Sequence, residues 1–194
     1  MSSGPRGGVL ILPGGRPQSD QASQVWQLAN LRMIWLAVAL RARLGNGVRV
    51  SRVQYRLRGW NGSRRDAVRD ARGALERMLA DVDPRRLVLV GHSMGGRVAA
   101  HLCADSDIGG VVALAPWWPR NDGELVPADC RLLVLHGTAD MRTDPRSSEV
   151  QTRQAAERGV DAEWVGIPEA GHYLISHWRL WHRLTAEFVA TQIS

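Results

Sequence analysis

The sequence predicts an α/β fold, a mostly parallel six-stranded sheet with helices on both faces. Three observations carry that prediction. Short runs of β-branched and aliphatic residues alternate with longer helix-like segments from end to end, and parallel neighbours require such crossovers. Val9–Leu12 and Val111–Ala115 are apolar at every position, as strands buried on both faces are. Between a third strand signal and a helix signal stands Gly91-His92-Ser93-Met94-Gly95, a pattern that belongs to a strand-turn-helix setting.

The elements follow in order. Val9–Leu12 reads as a strand ended by Pro13-Gly14-Gly15. A helix from about Ser23 to Leu44 comes next, stopped by Gly45-Asn46-Gly47. Its apolar stretch Leu28–Leu40, interrupted by Asn30 and Arg32, is short of the ~20 residues that span a bilayer and reads as a helix buried in the core. Val48–Tyr55 alternates Val with Arg and Ser, as a strand with an exposed face or an edge strand does. The loop Arg58–Ser63 carries Trp60, and Val68, Leu75, Met78 and Leu79 have helical spacing within Arg65–Ala80. Arg86–Val90 is the strand before the glycine-serine pattern and Gly95–Ala104 the helix after it. Val111–Ala115 and Leu132–His136 are further strands, and Ser147–Arg158 is a helix stopped by Gly159. Asp161–Ile167 is the last strand, and a final helix runs from about Ile175 to Thr191. With 194 residues and no internal repeat or linker, one domain covering residues 1–194 is expected.

Composition narrows the class. Hydrophobic residues make up 44% and charged residues 23%, proportions of a globular protein rather than a disordered or fibrous one. The net charge is +6, and every basic residue other than histidine is arginine. Residues 41 to 72 hold ten arginines against Asp66 and Asp70. No aromatic-rich strand or zinc spacing accompanies them, so the cluster reads as a solvated basic face, and nucleic acid is not expected as a partner. Cys103 and Cys130 form neither a disulfide framework nor a metal site, which favours a reducing, cytoplasmic setting. Met1–Gly8 has no apolar signal core.

Gly91 and Gly95 leave room for the crowded backbone that a nucleophilic serine at such a turn requires. The start of the following helix points free N–H groups at the same place. A serine hydroxyl is a weak nucleophile at neutral pH and needs an imidazole to take its proton. Two further signals lie at strand ends. Gly137-Thr138-Ala139-Asp140 follows the strand Leu132–His136, and Gly171-His172 follows the last strand.

With these residues the chain resembles the α/β-hydrolases over nearly its whole length. In that family the nucleophile, acid and histidine occur in this chain order, and the intervals of 47 and 32 residues leave room for the elements between them. The resemblance implies a triad of Ser93, Asp140 and His172, with Asp140 orienting His172. Asp144 is the rival acid, and His177 and His182 are rival bases in the final helix. His92 and His136 are expected to support the site. The resemblance also implies an oxyanion hole formed by the N–H groups of Met94 and Gly15; Pro13-Gly14 stands where the family often has His-Gly. If Gly15 takes that role, the two antiparallel strands that usually precede this part of the fold are missing. Pro116–Arg131 is too short for a helical cap, so an open site is expected, with Trp117, Trp118 and Trp60 as an apolar wall for the substrate. The implied reaction is hydrolysis of an ester or thioester through an acyl-serine, with no metal or organic cofactor. An acyltransferase or lactone hydrolase, or a non-catalytic binding module of the same fold, are the alternatives.

Overall fold

The computed structural model describes residues 4–194, so the expectation for Met1–Gly8 lies partly outside the described residues. Its centre is a six-stranded sheet. The strands are β1 (Gly7–Leu12), β2 (Val48–Arg52), β3 (Leu87–His92), β4 (Gly110–Leu114), β5 (Arg131–Gly137) and β6 (Ala162–Ile167). All pair in parallel, in the order β2-β1-β3-β4-β5-β6. Among the described residues the α-helices are α1 (Leu28–Leu44), α2 (Asp66–Leu79), α3 (Met94–Cys103), α4 (Pro145–Glu157) and α5 (Trp178–Ile193).

The two-residue period of the strands divides the interior into two cores. Leu10, Leu12, Leu87, Leu89, Val111, Ala113, Leu132 and Val134 face α2, α3 and α4. Their neighbours Val9, Ile11, Val88, Val90, Val112, Leu114, Leu133 and Leu135 face α1 and α5. Each strand is thus buried on both faces, and apolar runs without alternation result. On the α1/α5 side Trp181 is fully buried, and burying a side chain of this size contributes about 2–3 kcal/mol.

Chain order along the sheet reverses between β1 and β3. In open parallel sheets a crevice opens at the carboxyl ends of the strands at such a reversal, where successive crossovers leave in opposite directions. The β1 and β3 loops, Pro13-Gly14-Gly15 and the turn at Ser93, meet there. Among the described residues all strands of the sheet are parallel, so the leading antiparallel pair is absent. Between β4 and β5 lies only a 3-10 turn at Asp122–Leu125, with no helical cap.

Several expectations need correction. The first helix starts at Leu28, not near Ser23, because residues 22–24 bind another loop: Ala22 bridges to Leu57, Ser23 N–H donates to Arg56 O at 2.9 Å, and Gln54 Nε2 donates to Ser23 O at 3.1 Å. Nor is α1 buried in the core. Leu28 and Trp35 are each 70% exposed, whereas Asn30 is buried and donates from Nδ2 to Gln24 O at 2.8 Å. The run of apolar residues concealed the orientation, since only Met33, Leu36, Ala37, Leu40 and Leu44 among them face the sheet. β2 ends at Arg52, although Val53 still donates to Ile11 O at 2.9 Å and Tyr55 is buried. The last helix begins at Trp178 because Leu174 and His177 have φ of 59° and 58°, a conformation that no α-helix continues through.

Candidate active site

Ser93 occupies the turn between β3 and α3 with φ 55° and ψ −116°, a costly backbone conformation for a residue with a Cβ. Neighbouring backbone holds it there. Ser93 N–H donates to Leu114 O at 2.9 Å, and Ser93 O accepts from Gly96 N–H at 3.0 Å and Trp117 N–H at 3.1 Å. The glycines are required by contact. A Cβ on Gly91 would lie 2.1 Å from Gly95 O, and one on Gly95 would lie 2.0 Å from Leu12 O. The first turn of α3 is therefore pressed against the ends of both β1 and β3, which tips the Ser93 side chain out over the strand ends.

The loop after β1 lies beside it. A Cβ on Gly15 would fall 2.3 Å from Met94 Cε, and one on Gly14 would fall 3.4 Å from Ser93 Cβ. Arg16 N–H donates to Arg58 O and Trp60 N–H to Arg16 O, both at 2.8 Å, fastening the loop to residues 58–60. Among the described residues no acceptor engages the Gly15 N–H. Met94 is the first residue of α3, where N–H groups lack an intrahelical partner.

His172, in the loop after β6, places Nε2 3.1 Å from Ser93 Oγ and Nδ1 2.7 Å from Asp140 Oδ2. Asp140 sits just past β5, held by its own turn. Its Oδ1 accepts from the N–H groups of Arg142 at 2.7 Å and Thr143 at 3.1 Å, and its Oδ2 accepts from Thr143 Oγ1 at 2.8 Å. His136 Nε2 also reaches Oδ2, at 3.1 Å. Burial opposes the charge on Asp140, but donors from His136, His172, Arg142 and Thr143 outweigh it and hold the carboxyl far below the usual range. Since a carboxylate only accepts, the protons of His172 and His136 face it, on Nδ1 and Nε2 respectively. His172 Nε2 is then free to accept from Ser93. Behind His136, Ser148 Oγ lies 2.8 Å from Nδ1 and receives Trp164 Nε1–H at 3.0 Å.

His92 anchors the other side of the His172 loop. Its Nε2–H donates to His172 O at 2.9 Å, leaving a buried Nδ1 without a partner. Burial, reinforced by the adjacent His172 ring, pushes the His92 imidazole down to about 3.

Ser93, Asp140 and His172 thus converge from three strand ends, with Met94 and Gly15 beside them. The tryptophans divide. Trp117 lines the 270 Å³ cavity at Ser93; Trp60 and Trp118 are not among its lining residues. Trp118 is buried and donates from Nε1 to Gly96 O at 3.2 Å. Trp60 is buried under the Arg97 guanidinium, 4.1 Å from its ring centroid, and meets Trp117 edge-on at 6.3 Å. Arg97 Nε in turn donates to Asp122 Oδ1 at 2.8 Å. These contacts brace the segment after β4 against α3. The rival acid Asp144 caps α4, accepting from Arg146 N–H at 2.9 Å. His182 packs edge-on against Trp178, and Cys103 and Cys130 are buried free thiols.

Sequence reasoning missed two groups. Thr143 and the Asp140 contact of His136 escaped notice, although a hydroxyl three residues past an aspartate is a turn signal. Arg16, Arg32, Arg142 and Tyr173 also line the cavity, and their dispersal along the chain gave no local sign. Five of the ten arginines of residues 41–72 form ion pairs: Arg49 with Asp81, Arg56 with Asp70, Arg64 and Arg69 with Asp66, and Arg72 with Asp105.

Comparison with known proteins bears on the fold. Among solved structures, SOBER1 of Arabidopsis thaliana superposes with a TM-score of 0.72 at 16% identity, covering 97% of this chain and 99% of its own. Est1E from Butyrivibrio proteoclasticus, determined with ferulic acid bound, gives 0.73 at 15% identity over 96% and 89%. A hyperthermophilic esterase from the archaeon Pyrobaculum calidifontis gives 0.71 at 17% identity over 100% and 78%. At these identities the likeness is one of fold. No curated protein sequence matches significantly. The family model described as the alpha/beta hydrolase family matches residues 9–129, and the parallel sheet with its serine turn agrees with it: the chain belongs to the alpha/beta hydrolase family.

Proposed function

We propose that this protein is a serine hydrolase that cleaves an ester or thioester through an acyl-Ser93 intermediate. The observation that carries the reading is the unbroken relay from Ser93 Oγ to His172 Nε2 and from His172 Nδ1 to Asp140, standing at a backbone-strained turn.

In this reading Ser93 Oγ attacks the substrate carbonyl as its proton passes to His172 Nε2. Asp140, held as a carboxylate, keeps the second imidazole proton on Nδ1 and stabilises the imidazolium. The carbonyl oxygen becomes an oxyanion facing the Met94 and Gly15 N–H groups, and one such donor is worth about 3–4 kcal/mol of barrier. The imidazolium then gives its proton to the departing alcohol or thiol. Water, deprotonated by His172, releases the acid and restores Ser93. Trp117 supplies an apolar wall beside the acyl group, and the small segment between β4 and β5 leaves the approach open. The two free buried thiols support a reducing, cytoplasmic setting. No described helix is long and apolar enough to cross a membrane; the proposed substrate is a small molecule that enters the 270 Å³ cavity at Ser93.

Hydrolysis of p-nitrophenyl butyrate by the parent, Ser93→Ala and His172→Gln proteins tests this. Each variant is expected to lose about a thousandfold or more in kcat. A Ser93→Ala protein with the parent's kcat overturns the proposal.

A further inference from the structure

The approach to Ser93 is lined by arginines and by no acid. Arg16, Arg32 and Arg142 border the cavity at Ser93, and Arg58 joins them in the 590 Å³ cleft outside it; neither lining includes Asp or Glu. Among the described residues, ten of the other 21 arginines pair with a carboxylate, as Arg85 does with Asp129 and Arg131 with Asp161, whereas none of these four does. Arg58 reaches only a neutral group, Gln21 Oε1 at 3.0 Å.

Arg32 and Arg142 converge on one ring. Their guanidinium carbons lie 4.7 and 5.8 Å from the Tyr173 ring centroid, and Tyr173 packs edge-on against His172. Two cations therefore flank Tyr173 in the lining of the cavity that holds Ser93. Arg32 is also partly desolvated, with a buried Nε that has no partner, and burial pulls its pKa down. An unpaired, partly desolvated cation is costly, and an arriving anion removes that cost.

We propose that this cleft selects esters or thioesters bearing a carboxylate or phosphate, which Arg32 and Arg142 bind beside Tyr173 while Arg16 and Arg58 guide it inward. The inference rests on Ser93 as the nucleophile. A guanidinium binds both anions through paired N–H donors, so two substrate pairs distinguish the sources. Mono-p-nitrophenyl glutarate against p-nitrophenyl pentanoate places a carboxylate on the acyl half. Butyryl-coenzyme A against butyryl-N-acetylcysteamine places phosphates on the leaving half.

The quantity read is the ratio of kcat/KM, anionic over neutral. At least one pair is expected to give a ratio of about ten or more at low salt, falling as ionic strength rises. Arg32→Gln and Arg142→Gln should bring that ratio close to one, with Arg32→Lys keeping part of it. Arg183→Gln, outside the cleft, should leave the ratio unchanged. Ratios near one for both pairs, or a preference that survives both glutamine variants, overturn the inference.

A binding arm separates this claim from the hydrolase reading. Calorimetry on Ser93→Ala should show monomethyl glutarate binding about tenfold more tightly than dimethyl glutarate, with the difference lost in Ser93→Ala/Arg32→Gln. Equal binding of the two esters together with a coenzyme A ratio near one, with Ser93 reactive toward a neutral fluorophosphonate, overturns the charge selection alone. Preferential binding of the monoester to a protein whose Ser93 proves unreactive supports the anion site and overturns the hydrolase reading.

Discussion

His92 shows how a single residue can serve the site without taking part in chemistry. Its Nε2–H ties down the His172 backbone, and burial keeps the ring neutral far into acid. The unfolded chain protonates this imidazole near 6.5 and the folded chain only near 3. Between those values the unfolded state binds more protons, so stability rises with pH and is lost as pH falls. The slope approaches about 1.4 kcal/mol per pH unit. His182, also pushed down by burial, adds in the same sense. His92→Asn should therefore flatten the decline in unfolding free energy between about pH 6 and pH 4.5, measured by urea titration; slopes equal to the parent's would contradict this. Asp140→Asn is expected to lower kcat about 10³–10⁴-fold with little change in KM, because the amide offers His172 the wrong partner. Retention of more than a tenth of kcat would remove Asp140 from the proposed role. Ser93, Asp140 and His172 were legible because each follows a strand signal in a glycine-marked turn. His136 was expected to support the site, but its bond to Asp140 and the part of Thr143 were not legible, because the sequence does not show which side chains a tight turn aims at the Asp140 carboxylate.

Among the elements, the β3–α3 elbow allows least substitution. A methyl at Gly95 would meet Leu12 O at 2.0 Å, and rigid sheet backbone cannot withdraw as a side chain does. Gly95→Ala is expected to cost about 3 kcal/mol or more, read as a lower urea midpoint at unchanged slope. A cost under about 0.5 kcal/mol would show that the close approach is absent. The segment after β4 depends on the buried Arg97–Asp122 pair instead. Asp122→Ala strands the Arg97 charge and should destabilise by about 3–5 kcal/mol, and a neutral effect would contradict the bracing role. Sequence reading located the elbow because glycine spacing is local. It did not separate Trp117 from Trp60 and Trp118, which stand outside the lining at Ser93, because an aromatic in a loop looks the same whether it faces a cavity or packs on an arginine. The start of α1 was misplaced for a similar reason: apolar residues on all sides hide which face is buried.

Across the whole molecule, the sheet order decides where chemistry can occur. Two strands pointing the same way, with crossovers leaving in opposite directions, open a crevice at β1 and β3, and the Ser93 turn and Gly15 loop fill it. Strand and helix alternation made that architecture readable. The charge distribution was harder to read. In the densest arginine run, residues 41–72, half of the ten arginines are ion-paired, while Arg58 of that run meets Arg16, Arg32 and Arg142 only through folding. This arrangement is proposed to make Ser93 a nucleophile. Treating the folded protein with a fluorophosphonate and mapping the adduct by peptide mass spectrometry tests it. One adduct is expected, on Ser93, absent from Ser93→Ala and greatly slowed in His172→Gln. A protein that stays unlabelled, or labelling that persists in Ser93→Ala, would contradict it.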